Sequence, residues 1–348
     1  MEETSNELPF LSNIGLMLSF RCPITCPHCI VNAGPGRKEL IPVKDCLKWI
    51  NESRLYGKTH IQGIAITGGE PFYHQEDLKL ISDYGKERKF IISVVTNAFW
   101  ANTREEAFKI LSRFPNIHMI SISTDVYHQK YIPFENVQYT IHAAKELGKL
   151  YNIAICAEDF LDPEYVRIKE SLIGIGEEDR IRESIVTPIG RAKHRARHVN
   201  YSESREPTKA ACNSASSPVI FPGGKVSACI GPALTLDDGN PLILGNMYKQ
   251  PLKEIMDGAE LNPILHTIRV WGPHKLIELL SEHGFEERIP DNFIKDCVCD
   301  VCYKLMSDDI TVRTLKEIFD SDYSLREKTA YGRLYYLDES KMIEQFIQ

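Results

Sequence analysis

The sequence predicts an α/β fold built from repeated strand–helix units, followed by a smaller cysteine-bearing part. From residue 13 to about residue 190, apolar, β-branched runs of strand length alternate with longer segments in which apolar residues have helical spacing. Two short apolar runs, joined by a glycine turn, follow near residue 222. Because each crossover returns the chain to the same edge, we expect the strands to pair in parallel. Six such units form either an open barrel or a doubly wound sheet, and in both the function lies at the carboxyl ends of the strands.

The repeat gives six predicted strands and five predicted helices. The strands are short and apolar, whereas the helical segments place apolar residues three and four positions apart. We predict strands at residues 14–20, 61–67, 90–96, 117–123, 153–157 and 184–187. Helices are predicted at residues 43–56, 76–88, 103–113, 136–147 and 163–173.

After residue 190 the sequence changes to a polar, basic segment and then to short elements. We interpret that segment as a solvated linker rather than a contact for an acidic substrate group; its basic residues include Arg191, Lys193, Arg195 and Arg197. The Pro222-Gly223-Gly224 stretch predicts a hairpin, and helices are predicted at 251–257, 265–270 and 274–283. The expected parts are a βα domain (1–190), a linker (191–209), a cysteine-bearing domain (210–305) and a helical tail (306–348).

Composition and charge exclude several classes of protein. The chain has 348 residues, 43% hydrophobic and 26% charged, which is enough to bury a core and unlike a disordered chain. Its 41 basic and 48 acidic residues give a net charge of −7, which argues against nucleic-acid binding. No stretch reaches the ~18 apolar residues of a membrane span, and the acidic start is unlike a signal peptide. We therefore expect a cytoplasmic protein with no nucleic-acid or membrane partner.

Ten cysteines without an export signal need an explanation other than disulfides, because the cytosol keeps thiols reduced. Metal binding, catalysis or burial remain. Cys46 lies in a helical pattern and is predicted to be buried, and Cys156 ends the fifth strand, facing either the lumen or the helical shell. The other eight fall into groups: Cys22, Cys26 and Cys29; Cys212 and Cys229; and Cys297, Cys299 and Cys302.

The first group, Cys22-Pro-Ile-Thr-Cys26-Pro-His-Cys29, directly follows the first predicted strand. Its three thiolates can face a common centre. Soft thiolates bind both zinc and iron–sulfur clusters, and a zinc site would need a fourth ligand such as His28. A [4Fe–4S] cluster held by three cysteines leaves one iron without a protein ligand, and that iron can bind a substrate or cofactor.

Candidate ligand residues also follow the second, third and fourth strands. Two glycines at the end of the second strand let the backbone approach a ligand, although a simple tight turn is the alternative. The polar residues after the fourth strand can equally cap a helix or form a turn. At this edge we place the candidate cofactor-binding residues Gly68, Gly69, Glu70, Pro71, Asn97, Ser123 and Asp125.

The C-x3-C-x2-C loop after the first strand and the Gly-Gly-Glu-Pro turn after the second resemble the radical S-adenosylmethionine (SAM) superfamily. The resemblance implies a partial (β/α)6 TIM-like barrel in which Cys22, Cys26 and Cys29 hold a [4Fe–4S] cluster. It further implies that SAM chelates the open iron, that the glycine turn binds the SAM amino group, and that Ser123 and Asp125 take the ribose positions. Reductive cleavage of SAM then gives a 5′-deoxyadenosyl radical.

The later cysteines form a second constellation. Cys212 lies twelve positions before Gly224 and Cys229 lies five after it, and two cysteine pairs of this kind also fit a zinc site. The C-x11-G-x4-C pattern resembles the opening of the SPASM and twitch extensions, which carry auxiliary iron–sulfur clusters. This resemblance implies a twitch-type hairpin and helix domain with one auxiliary [4Fe–4S] cluster. Its ligands would be Cys212, Cys229, Cys299 and Cys302, with Cys297 either replacing Cys299 or free beside the cluster.

From Cys22 to about residue 305 the sequence is similar to the twitch-type radical SAM peptide epimerases. Those enzymes abstract an α-hydrogen from a peptide residue and return hydrogen to the other face. Their donor is a cysteine directly after the cluster ligand of the hairpin. Here that position is Ile230, which cannot donate hydrogen to a carbon radical.

We therefore predict a radical SAM enzyme that modifies an unactivated C–H bond, with a peptide as substrate and with oxidation or cross-linking favoured. The alternatives are peptide epimerisation with Cys156 or Cys297 as the catalytic hydrogen donor, oxidation of a small molecule by a twitch-type dehydrogenase, and a zinc-stabilised binding module. A flavodoxin- or ferredoxin-type electron donor is the expected partner. The 21 residues before Cys22 are too few for a separate peptide-clamp domain, which weakens the expectation of a leader peptide.

Overall fold

Six parallel strands form the centre of the molecule in the computed structural model, which describes residues 12–56, 61–195 and 201–337. The strands lie side by side in chain order, each hydrogen-bonded in parallel to the next. This arrangement confirms the predicted α/β fold. The strands are β1 (Asn13–Met17), β2 (Gly63–Thr67), β3 (Ile91–Thr96), β4 (Met119–Ser123), β5 (Leu150–Ala157) and β6 (Ile181–Ile185).

Five helices make the crossovers between these strands, and their apolar sides are buried in one core with the strands. Side-chain caps begin two of them: Thr103 accepts a hydrogen bond from the Glu106 N–H, and Asp162 accepts from the N–H groups of the two residues at 164 and 165. These helices are α1 (Val43–Leu55), α2 (Gln75–Glu87), α3 (Arg104–Ser112), α4 (Phe134–Glu146) and α5 (Pro163–Gly174).

The hairpin predicted near residue 222 extends the same sheet beyond β1. Its first strand pairs in parallel with β1, and two antiparallel strands lie outside it. Gly15 on β1 permits this pairing, because a β-carbon there would lie 2.8 Å from a methyl group of Val219. The strands of this extension are β8 (Val219–Ile220), β9 (Lys225–Ser227) and β10 (Ile243–Asn246).

Helices dominate the chain after the hairpin. Arg333 in the last helix is buried and its guanidinium lies 3.0 Å from the Glu260 carboxylate, which ties the predicted tail to the preceding helices. Two short strands, β7 (Glu203–Ser204) and β11 (Phe293–Ile294), pair separately. The helices are α6 (Ala192–Arg195), α7 (Leu252–Glu260), α8 (Pro263–Val270), α9 (His274–Glu282), α10 (Val298–Met306), α11 (Asp309–Ser321) and α12 (Tyr323–Leu337).

Most predicted boundaries agree with the structure to within three residues, with two informative differences. β1 ends at Met17 rather than at residue 20, because the chain then leaves the sheet and Ser19 bridges to Leu40 instead. The predicted linker begins as α6, while Arg197 lies outside the described residues, as does the tail beyond residue 337. Within the described ranges no helix combines the length and apolar composition that crossing a bilayer requires.

Candidate active site

A cavity of about 360 Å³ lies at the carboxyl ends of β1–β6. All six strand ends contribute to its lining, so the sheet curves around it as a partial barrel. Ile230, from the segment after β9, is part of the wall. The predicted site residues that line this cavity are Cys22, Cys26, Cys29, Gly68, Gly69, Glu70, Asn97, Ser123, Cys156 and Cys299. Six other predicted site residues lie outside its lining: Pro71, Asp125, Cys212, Cys229, Cys297 and Cys302.

The loop with the first three cysteines is held by backbone and side-chain hydrogen bonds. The Cys29 N–H donates to the Cys26 carbonyl at 3.2 Å, and the Ala33 N–H donates to the Cys29 sulfur at 3.3 Å. The side-chain amide of Asn97 donates to the Cys22 sulfur at 3.5 Å. Burial raises the pKa of the Cys22 thiol to about 12, so without a bound metal centre the thiol stays protonated at neutral pH.

The spacing of the cysteine sulfur atoms bears on the zinc alternative. A tetrahedral zinc ion with bonds of ~2.3 Å brings its sulfur ligands to within roughly 4 Å of one another. Across the described ranges, the one set of three metal-binding side chains whose ligand atoms all lie within 4.8 Å is His28, Asp125 and His128. Neither group of cysteines is that compact, and His28 stacks on Tyr127 with ring centroids 4.4 Å apart. In this structure neither group of cysteines is therefore arranged as a zinc-sized site, and soft thiolates spaced more widely remain suited to an iron–sulfur cluster.

The glycine turn after β2 packs directly on the backbone that leads to the cysteine loop. The Gly69 N–H donates to the Ser19 carbonyl at 2.6 Å, and the Glu70 N–H donates to the Arg21 carbonyl at 2.9 Å. A β-carbon on Gly69 would lie 2.2 Å from the Arg21 carbonyl oxygen, and one on Gly68 would lie 2.7 Å from that of Ser19. Both glycines are required because backbone approaches backbone, and the turn thereby fixes the strand end that precedes Cys22.

The Glu70 side chain joins the ends of β2 and β3. Its carboxylate accepts hydrogen bonds from the Asn97 N–H at 2.7 Å, the Thr96 hydroxyl at 2.9 Å and the Phe72 N–H at 3.0 Å. Burial raises the pKa of Glu70 to about 7, although these three donors oppose the shift. The carboxyl group therefore holds the Asn97 loop in place and is readily neutralised or paired by a cation in the cavity.

Asp125 is buried behind the cavity wall, and the protein satisfies its carboxylate. One oxygen accepts from the N–H groups of Tyr127 and His128 at 2.9 and 3.0 Å, which is the turn role considered above. The other oxygen lies 2.9 Å from His128 Nδ1 and accepts the Cys156 thiol at 3.1 Å. Although burial opposes it, His128 holds the pKa of Asp125 well below its usual range. Of the two predicted ribose positions, Ser123 alone lines the cavity, and ribose binding by Asp125 stays a prediction.

The two candidate hydrogen donors lie in different places. Cys156 lines the cavity and is partly buried against the first cysteine loop, so its thiol faces the lumen of the barrel rather than the helical shell. Cys297 is buried behind the cavity wall and does not line the cavity, but its sulfur lies 3.9 Å from the hydroxyl of the lining residue Thr187. The geometry brings Cys156 to the site and leaves Cys297 behind it.

The second cysteine group gathers beside the same cavity. The sulfurs of Cys229 and Cys299 flank Gly231, lying 3.7 and 3.9 Å from the point where its β-carbon would be. Burial raises the pKa of the Cys302 thiol, and the neighbouring Cys229, Cys212 and Cys299 raise it further. Burial also raises the pKa of the Cys299 thiol, to about 12, and Cys297, Cys212 and Cys229 raise it further, so the choice between Cys297 and Cys299 as the fourth ligand stays a prediction. Cys299 and Cys302 lie on α10, a helix that the sequence analysis did not predict.

Arg191 is a site residue that the sequence analysis assigned to a solvated linker. Its guanidinium donates to the carbonyls of Cys26 and Ala33, both at 2.5 Å, and its own N–H donates to the Cys29 carbonyl at 2.9 Å. The available sequence signal was its position directly after Gly190 at the end of the sixth strand unit. A separate groove of about 430 Å³ near α12 contains none of the candidate residues.

Comparisons with known proteins give one family and several distant relatives. Residues 16–157 match the model of the Radical SAM superfamily. The putative peptide biosynthesis protein YydG of Bacillus subtilis (strain 168) is 21% identical over 301 residues, covering 84% of this chain and 92% of that protein. Among solved structures, native anSMEcpe with bound AdoMet is 14% identical at a TM-score of 0.47, covering 91% of this chain and 99% of that chain. BtrN in complex with AdoMet and 2-DOIA is 15% identical at a TM-score of 0.41, covering 73% and 86%.

Proposed function

Because the chain carries a radical SAM domain over residues 16–157 and is a radical SAM enzyme, we propose that it oxidises or cross-links a peptide. The domain implies a [4Fe–4S] cluster and SAM as cofactors. A peptide is proposed as the substrate because the relative YydG is described as a putative peptide biosynthesis protein. We expect a flavodoxin- or ferredoxin-type protein to supply electrons.

The residues in the cavity have distinct tasks in this proposal. Cys22, Cys26 and Cys29 hold the first cluster, and the turn at Gly68 and Gly69 binds the SAM amino group beside it. Apolar side chains in the wall, among them Ile24, Val31 and Val95, exclude water from the reacting carbon. When bound, the cluster with SAM supplies a 5′-deoxyadenosyl radical, and an auxiliary cluster supplies an electron acceptor.

We assign the auxiliary cluster to Cys212, Cys229, Cys299 and Cys302. Its support is the position of Cys299, which lines the cavity while the other three sulfurs lie behind it. A metal centre at these residues would sit against the wall of the reaction chamber. Oxidation of the peptide removes one hydrogen atom, one electron and one proton, so the product is two hydrogens lighter.

The observation that carries the oxidative outcome is the side chain of Ile230 in the cavity wall. It occupies the position directly after Cys229, where the similar epimerases have their donor cysteine. An alkyl side chain with no thiol hydrogen there cannot quench a substrate radical, whereas Cys299, a proposed ligand of the electron acceptor, lines the same wall. Oxidation therefore accounts for both residues.

Turnover in D2O with a peptide substrate, to be sought among small open reading frames beside the gene, tests the proposal. The expected product is two hydrogens lighter than the substrate and free of solvent deuterium. The Ile230→Cys variant is the matched gain-of-function control, because it places an exchangeable S–D bond in the wall and should add deuterium to part of the product. A wild-type product that has as many hydrogen isotopes as the substrate, with deuterium at an α-carbon, would contradict oxidation.

Epimerisation is the second candidate, and the position of Cys156 favours it. This thiol lines the cavity and could return hydrogen to a substrate radical from the β5 side. The deuterium experiment separates the two outcomes, since epimerisation leaves the redox state of the peptide unchanged. A Cys156→Ala variant that abolishes deuterium incorporation would then identify the donor.

A further inference from the structure

Arg191 binds the cysteine loop from the opposite side of the barrel. The loop runs from β1, whereas Arg191 follows β6, and its guanidinium reaches two carbonyls seven residues apart, those of Cys26 and Ala33. A guanidinium carries five N–H donors in a rigid plane, so it can hold two such carbonyls in a fixed relation where a lysine ammonium holds fewer. Arg191 is the side chain that closes this loop.

Gly190 makes this approach possible. Its φ is +57°, and a β-carbon would lie 2.2 Å from the Ile30 carbonyl oxygen. The close backbone contact also lets the Arg191 N–H reach the Cys29 carbonyl at 2.9 Å. Two of the three cysteines that we assign to the first cluster therefore have their carbonyls bound by this one residue.

The residue that Arg191 holds also donates a hydrogen bond to a cysteine sulfur that we assign to the first cluster. Ala33, whose carbonyl Arg191 holds, donates its N–H to the Cys29 sulfur at 3.3 Å. Hydrogen bonds to sulfur and nearby charge are two of the factors that set the reduction potential of an iron–sulfur cluster. Arg191 is half-buried, and it forms no ion pair with a carboxylate in the described part of the chain.

We propose that Arg191 is a positioning residue for the first cluster, closing the cysteine loop and making the cluster easier to reduce. One-electron reduction makes a cluster with three thiolate ligands more negative. A fixed positive charge and an N–H···S bond both favour that more negative state, so they raise the midpoint potential. The inference rests on the cluster assigned in the proposed function, but it does not depend on the substrate.

Variants at two neighbouring basic residues separate charge from loop closure. Arg191→Gln removes the charge and the double contact, whereas Arg191→Lys keeps the charge and loses the planar fork. Lys193→Gln is the matched control, because Lys193 is an exposed residue on α6 that shares the local charge without contacting the loop. All three are reconstituted anaerobically with iron and sulfide, and far-UV circular dichroism checks their folding.

Two measurements follow the cluster itself rather than turnover. A potentiometric titration follows the electron paramagnetic resonance signal that changes when SAM is added, and a chelator assay gives the rate of iron loss. We expect a more negative potential and several-fold faster iron loss for Arg191→Gln, faster iron loss with a smaller negative shift of the potential for Arg191→Lys, and neither change for Lys193→Gln.

Either of two results would overturn the role of Arg191. One is a wild-type potential in Arg191→Gln; the other is an equal shift in Lys193→Gln, which would mean that only general surface charge matters. If Arg191→Gln does not fold, wild-type iron loss in Arg191→Lys would refute loop closure. A wild-type protein that stays colourless and takes up zinc instead of iron would refute the proposed function itself. That outcome differs from both results that would refute only the role of Arg191.

Discussion

Cys156 donates its thiol hydrogen to the buried carboxylate of Asp125, with 3.1 Å between Sγ and Oδ2. Burial raises the pKa of the Cys156 thiol well above its ordinary value, and the negative charge of Asp125 adds to this effect. The thiol is therefore protonated at neutral pH and has a hydrogen atom to give. It lies in the same cavity as the cysteines assigned to the first cluster.

The protonated Cys156 thiol predicts how the 5′-deoxyadenosyl radical is quenched when no substrate is bound. A thiol S–H bond is weaker than the methyl C–H bond of 5′-deoxyadenosine, so in D2O the exchanged Cys156 thiol should deuterate that product. Mass spectrometry of 5′-deoxyadenosine after dithionite-driven SAM cleavage checks this. We expect a several-fold loss of deuterium in Cys156→Ala and no change in Cys297→Ala. The reverse pattern would identify Cys297 as the reactive thiol.

Removal of the first three cysteines should abolish SAM cleavage. The triple Cys22, Cys26 and Cys29→Ala variant lacks the ligands of the first cluster, so anaerobic reduction with dithionite should yield no 5′-deoxyadenosine by chromatography. Cys46→Ala is the control, because Cys46 is buried in α1 away from the cavity and its removal should leave cleavage intact. Continued cleavage by the triple variant would rule out this ligand set.

Gly69→Ala should weaken SAM binding while the protein keeps its iron. The added β-carbon would collide with the Arg21 carbonyl oxygen, so the turn must move away from the end of β1. We expect at least a tenfold loss of SAM affinity in an anaerobic equilibrium binding assay. Gly36→Ala is the matched control, because a β-carbon there meets nothing within 4 Å. Equal affinities for the two variants would show that the turn does not hold SAM.

Loss of the second cysteine group should halve the iron content. A Cys212 and Cys229→Ala double variant removes two proposed ligands from one of two four-iron clusters, so iron should fall from about eight to about four atoms per chain. Colorimetric iron analysis after anaerobic reconstitution measures this, and SAM cleavage should persist because the first cluster remains. An unchanged iron content would exclude these cysteines as ligands.

The raised pKa of Glu70 predicts a pH-dependent stability. Its pKa is about 7 in the folded protein and 4.5 ordinarily, so between these values the folded chain holds a proton that the unfolded chain has released. The free energy of unfolding therefore falls as the pH rises through this window and levels off above it. The side chain at position 70 of Glu70→Gln cannot titrate. The free energy of unfolding of this variant minus that of wild type should therefore increase by about 1–3 kcal/mol when the pH is raised from 5 to 8.

Anaerobic urea unfolding of the SAM-free protein at the two pH values measures this difference. Glu105→Gln is the control, because Glu105 is exposed on α3 and should show the same difference from wild type at both pH values. If the Glu70→Gln difference were also constant with pH, the buried carboxyl would not be the titrating group.

Local sequence patterns predicted the strand–helix alternation because periodicity depends on which face of each element is buried. The same reasoning placed Cys22, Gly69 and Ser123 at one edge, since parallel strands bring their carboxyl ends together. The pattern did not reveal α10, which starts directly after Cys297 and carries Cys299 and Cys302 in place of surface polar residues. α10 is only nine residues long, and two cysteines three positions apart fit a pair of metal ligands in a loop as well as one face of a helix.

Contacts between distant segments were beyond sequence reasoning for a different physical reason. Arg191 is a basic residue in a basic segment, and nothing local distinguishes it from its solvated neighbours. Its role comes from carbonyls at Cys26 and Ala33, more than 150 positions earlier in the chain. Asp125 was similarly ambiguous, because a turn residue and a ligand have the same side chain and differ only in what surrounds it.

The pairing of β8 with β1 sets an order of events on the ribosome. Gly15 and Val219 are about 200 residues apart, so at 5–20 residues per second the outer edge of β1 waits about 10–40 s for its partner strand to be synthesised. During that interval β1 presents an unpaired edge of the kind that joins other chains into aggregates. Iron that reached Cys22, Cys26 and Cys29 before β8 emerged would meet a chamber without the part of its wall formed by Ile230 and Cys299.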